Sequence, residues 1–150
     1  MAPENNNMKV FSRMVFLFVA SFFGATAIAA EFDGSEPLMC SFAQIVECDA
    51  GAECRSVTNE SIDAPDFVRF DFKKKQVVAI AAGVENAPAD LGNVINLTNY
   101  LIVQGVQGGA QGAANSLAWS ATIDHESGHI SMAAAGEKAG FVVFGACTTI

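Results

Sequence analysis

Apolar and polar residues alternate along much of this chain in short runs bounded by turn-forming residues, and that period of two predicts strands rather than helices. The tail shows it best. Trp119, Ala121 and Ile123 alternate with their neighbours, then Ile130, Met132 and Ala134 alternate on the opposite parity. Set antiparallel, Trp119 falls opposite Ala134, Ala121 opposite Met132 and Ile123 opposite Ile130, with the constant index sum that such a pair requires. Asp124 then opposes His129 and encloses His125-Glu126-Ser127-Gly128 as a four-residue loop, in which Gly128 can take the left-handed position. A further turn over 136–140 leads to Phe141–Cys147, whose apolar residues on both parities predict a strand covered on both sides.

Upstream, Leu38–Cys48 reads as a strand and Asp49–Pro65 as a polar loop. Phe67-Val68-Arg69-Phe70-Asp71-Phe72 alternates and predicts a strand, with Phe67, Phe70 and Phe72 as its core residues and Arg69 and Asp71 in solvent. Gln76–Ala81 supplies the other arm of a hairpin with Lys73, Lys74 and Lys75 at its tip, where lysines also discourage edge-to-edge pairing. Gly83–Gly92, with Pro88, reads as a loop, and Asn93–Gln104 as two short strands or one bent one. Gly105–Asn115 is too glycine-rich for a helix and reads as a long connection or a kinked strand. It is not a phosphate loop, because no Gly-x-x-x-x-Gly-Lys-Ser/Thr pattern is present. The expected fold is all-β: a seven- or eight-stranded antiparallel meander forming a small barrel or sandwich. Its core candidates are Trp119, Ile123, Ile130, Met132, Phe67, Phe70 and Phe72.

The first thirty residues follow another logic. Lys9 and Arg13 precede the apolar run Met14–Phe23, and Ala27-Ile28-Ala29 supplies small residues at alternate positions. This is the order of an export signal, and about ten apolar residues fall short of the roughly twenty a spanning helix needs. The chain therefore divides into a signal peptide at 1–29, cleaved after Ala29 or Ala30, and a single exported β-domain at 30–150. No later segment is long and apolar enough to be an integral membrane helix. The expected address is periplasmic or secreted.

That address changes the reading of the four cysteines, all of which lie in the exported part. An even count in an oxidising compartment predicts two disulfides, for which three pairings exist. Cys48–Cys54 closes a short flexible loop and Cys40–Cys147 ties the domain's two ends, and these are the preferred pairs. Charge is lopsided too. Removing Lys9, Arg13 and Glu4 from eight bases and sixteen acids leaves six against fifteen, a net charge of −9. Such a field disfavours nucleic acid and anionic lipid, and favours a basic protein partner or divalent cations.

One motif looks like chemistry. His125-Glu126-Ser127-Gly128-His129 matches His-Glu-x-x-His and in that respect resembles the zinc metallopeptidases. The resemblance implies zinc held by His125 and His129, with Glu126 as general base. Those enzymes carry the motif on a helix, where one turn brings the ligands to one face. Here Gly128 would sit inside that helix, at about 1 kcal/mol relative to alanine. The position six residues past His129, where a third ligand would stand, is Ala135. Strand register makes the stretch a hairpin tip instead.

Other templates fail more simply. Both histidines lie on one turn, the cysteines are expected to be oxidised, and nothing in the spacing brings carboxylates such as Glu47 and Asp71 to a catalytic separation. Over the whole chain, the leader, the early cysteine cluster and Trp119…Asp124…Ser127-Gly128…Phe144-Gly145-Ala146-Cys147 resemble small uncharacterised exported proteins of Gram-negative bacteria. That resemblance implies a periplasmic or secreted address and brings no activity. The leading expectation is a non-enzymatic exported binding module, without a cofactor, for a small apolar ligand or a basic protein. The alternatives are a zinc-dependent hydrolase and a structural cell-envelope protein.

Overall fold

The computed structural model describes residues 32–107 and 116–150. The expected signal peptide falls on residues outside that set, as do residues 108–115 of the expected glycine-rich connection. The described residues form ten strands and one 3-10 turn at Glu60–Ile62. The strands are β1 Leu38–Asp49, β2 Arg55–Val57, β3 Phe67–Asp71, β4 Gln76–Ala81, β5 Val84–Glu85, β6 Ala89–Asn96, β7 Tyr100–Gln107, β8 Leu117–Asp124, β9 His129–Ala135 and β10 Ala139–Thr149. Eight of them, all but β2 and β5, follow one another antiparallel around a closed barrel, with β10 returning to pair with β1. The meander expected from the alternation is therefore an up-and-down barrel, which leaves no open edge around its girth.

β8 and β9 pair in the register that the alternation requires: Trp119 opposite Ala134, Ala121 opposite Met132, Ile123 opposite Ile130. The closing pair, β1 with β10, runs from Leu38 opposite Thr149 to Asp49 opposite Ala139. A bulge between Phe42 and Gln44 switches the inward parity of β1, so Leu38 and Cys40 face in before it and Ile45 after it. Cys40 lies directly opposite Cys147 and is bonded to it, and Cys48 is bonded to Cys54.

Four expectations need correction. Phe67 is 45% exposed, because counting by twos from buried Phe70 leads to Val68, which leaves Phe67 on the outer face with Arg69 and Asp71. β10 is covered on one side only, and Val142 and Phe144 are 39% and 43% exposed on the barrel's outside. The expected loop 83–92 contains β5 and the start of β6, which lie one after the other along β4. Pro88, which has no N–H to donate, falls between the two. The loop 49–65 likewise contains β2 and the 3-10 turn.

The core gathers at one end. Leu38, Leu101 and Ile123 are fully buried there, with Ile130 and the Cys40–Cys147 pair. Phe32 joins the same cluster from outside the strands. Its amide donates to the carbonyl of His125, and its ring lies beneath Gly128 of the β8–β9 tip. Among the expected core residues, Trp119, Ile123, Ile130 and Phe70 are buried, and Met132 and Phe72 pack partly buried against them.

Candidate functional site

Toward the opposite end the same strands enclose an apolar cavity of about 410 Å³. Its floor is Phe70 and Trp119, whose ring centroids are 6.1 Å apart. Its walls alternate bulky residues with small ones: Phe42, Ile45 and Val143 on β1 and β10, but Ala79, Ala89 and Ala134 on β4, β6 and β9. The space exists because those alanines stand where other strands carry larger inward side chains.

Gly105 explains how Trp119 fits. The two residues lie opposite each other on β7 and β8. A Cβ on Gly105 would stand 2.8 Å from Cε2 of the indole and closer still to Cζ2. The ring therefore occupies the place of the missing side chain, an aromatic packed over a strand glycine. The signal was present in the sequence, but recognising it needed the β7–β8 register as well as the β8–β9 register.

The rim is polar and held by its own bonds. After the 3-10 turn, Asp63 adopts a left-handed backbone (φ 54°), a conformation that aspartate tolerates better than most residues. The Asn59 side-chain amide donates to the Pro65 carbonyl at 2.9 Å, and the Ala64 amide to the Asn59 carbonyl at 2.9 Å. Asp66 fastens this loop to the barrel, its amide donating to Ile80 and its carboxylate accepting from the Ala82 amide, both at 2.9 Å. Asn86 contributes to the rim from the β5–β6 segment and Gln107 from the end of β7. Asp63, Asn86 and Gln107 are exposed, and every other lining residue is apolar. Among the described residues, the lining contains no lysine, arginine or histidine.

The His-Glu-x-x-His stretch lies at the filled end, away from this cavity. It is a hairpin tip: the Gly128 amide donates to the Asp124 carbonyl at 3.0 Å, and Gly128 has φ 68°. One Asp124 carboxylate oxygen accepts from the amides of Ser127 (2.8 Å) and Glu126 (3.1 Å) and from the Ser127 hydroxyl (2.7 Å). Those bonds, the Ser127 amide foremost, hold the Asp124 carboxyl below the usual carboxylate range. His129 and Glu126 are exposed, whereas Nε2 of His125 is buried without a hydrogen-bond partner among the described residues. No three of the described His, Cys, Asp and Glu residues converge as a metal cluster would. The helix on which the metallopeptidase resemblance depends is a turn here.

No protein-family model, curated protein or solved structure matches the chain.

Proposed function

We propose that this protein is a non-enzymatic exported binding module that holds a small apolar ligand in the barrel cavity. The cavity carries the reading. Its volume lies in the range of small-molecule sites, and its lining is apolar with a few polar groups at the rim. A cavity of about 150 Å³ takes benzene, so by proportion this one takes about sixteen non-hydrogen atoms. At about 0.3 kcal/mol per atom, such a ligand gains about 5 kcal/mol, which sets a weak limit near 0.2 mM. Two disulfides fit an oxidising compartment, and a periplasmic or secreted address accords with them. The buried interior holds no polar side chain among the described residues, the reverse of the polar lumen of a lipid-embedded barrel.

The chain's one tryptophan is the cavity floor, so its fluorescence reports on this site. Titration with a naphthylamine probe should give saturable energy transfer from Trp119, and Ala134→Phe, which fills the space, should abolish it while the β-sheet spectrum is retained. Transfer that persists in Ala134→Phe, or its absence in the unmodified protein up to millimolar probe, would remove the small-ligand reading. The net charge separately supports a basic protein partner, a reading compatible with an occupied cavity.

A further inference from the structure

Resting on the apolar-ligand reading, we infer that the ligand's polar end is a hydrogen-bond donor without negative charge, an amine or alcohol rather than a carboxylate. A molecule seated against Trp119 and Phe70 directs a charged or multiply hydrogen-bonding end to the rim, because below it the described lining offers a single polar group, the indole N–H of Trp119. There it meets Asp63, Asn86 and Gln107. An ionised aspartate only accepts hydrogen bonds, and the two amides accept as readily as they donate. A donor head therefore finds three acceptors at the rim.

A carboxylate finds no cation among the lining residues. The basic side chains elsewhere do not make up the deficit. Arg55 is paired with Glu47 at 2.7 Å, and Arg69 donates to Glu85 at 3.0 Å. The Lys73–Lys75 tip turns between β3 and β4 at the filled end, where Lys74 is paired with Asp71 at 3.0 Å. Among the described residues, Lys138, in the turn before β10, is the remaining base toward the cavity's end, and Glu137 adjoins it. An anionic head would be partly desolvated beside a negative charge with only neutral amide donors and no cation to pair with, which is unfavourable on both counts.

The test compares dodecylamine, dodecanol and dodecanoate, each below its micelle concentration, displacing the naphthylamine probe at pH 7 and low salt. Dodecanoate should bind at least about fivefold more weakly than dodecanol, and dodecylamine at least as tightly as dodecanol. Asp63→Asn should improve dodecanoate and weaken dodecylamine by about threefold each, and added salt should shrink both differences. Dodecanoate within fivefold of dodecanol, or an unchanged selectivity in Asp63→Asn, would overturn the inference and leave the cavity reading standing. Failure of all three to displace the probe would overturn both.

Discussion

The two ends of the barrel are built from the same strands with the same alternation, yet one is filled and the other hollow. At the filled end Leu38, Leu101, Ile123 and Ile130 meet across the axis, and Phe32 closes the space beneath Gly128. At the hollow end Ala79, Ala89 and Ala134 leave about 410 Å³ above Phe70 and Trp119. Alternation decides which side chains point inward, but it does not decide whether they touch. That depends on their summed volume and on what plugs the end, and a barrel of this strand number admits either outcome. Each end also has its own disulfide. Cys40–Cys147 cross-links the filled end over a separation of 107 residues, and Cys48–Cys54 the hollow end over 6.

That pairing gives the largest expected contrast. By loop-closure entropy, replacing Cys40 and Cys147 with alanine should lower stability by about 5 kcal/mol, and replacing Cys48 and Cys54 by about 2 kcal/mol. Denaturant unfolding of the two double variants measures the difference. The first loss is comparable to a small domain's whole stability. Equal losses would mean that the ends do not differ in how the chain is held.

Truncation sharpens the contrast within the core. Leu101 is fully buried at the filled end, so Leu101→Ala leaves a void and should lower stability by about 3–5 kcal/mol. Met132 is half-buried beside a space that already exists, so Met132→Ala should lower it by only about 1–2 kcal/mol. The same experiment with bound probe should separate them further, because ligand stabilises the folded state only while the cavity keeps its shape. Similar losses at both sites would imply that the hollow end is packed in solution.

Much of the fold was legible because it is local. The β8–β9 register followed from strict alternation around a short turn, and the lysine-tipped β3–β4 hairpin from the same signal. The disulfide pairs followed from loop length and from the positions of the chain's ends. Legibility fails where one residue's parity has to be counted against its neighbours, as with Phe67, and where apolar residues on both parities of β10 suggest two-sided cover that the barrel does not provide. Phe32 was hidden in an acidic stretch with no periodicity at all. The cavity was least legible, since it arises from alanines on three separate strands whose distance in sequence conceals that they share one space. The His-Glu-x-x-His spacing pointed elsewhere, to a turn whose chemistry is that of Asp124.

The boundary between the two ends is Gly105 and Trp119. Gly105→Ala should lower stability by about 1–3 kcal/mol, because the new methyl would enter the indole ring and the core would have to shift. Trp119→Phe in the same chain should recover most of that loss, since the smaller ring vacates the position. A double-mutant cycle in chemical denaturation measures the coupling. Independent effects of the two substitutions would mean that the indole does not lie over the glycine, and the cavity floor would be misplaced.

The smallest effects are expected at the β8–β9 tip, and they separate turn from helix. Glu126 is exposed and its side chain makes no hydrogen bond among the described residues, so Glu126→Ala should change stability by less than about 0.5 kcal/mol. Asp124 differs, because its carboxylate accepts from the amides that shape the turn. Its folded pKa lies below the unfolded value. The stabilisation it brings is therefore complete above the ordinary carboxylate value near ~3.9 and is lost as pH falls through the lowered folded value. The Ser127 amide resonance should report that loss in an acid titration, and Asp124→Asn should remove the pH dependence. A Glu126→Ala variant that lost more than about 1 kcal/mol, with a Ser127 amide indifferent to Asp124→Asn, would be incompatible with a turn. The two histidines would then have to be placed on the shared helical face that a zinc site requires.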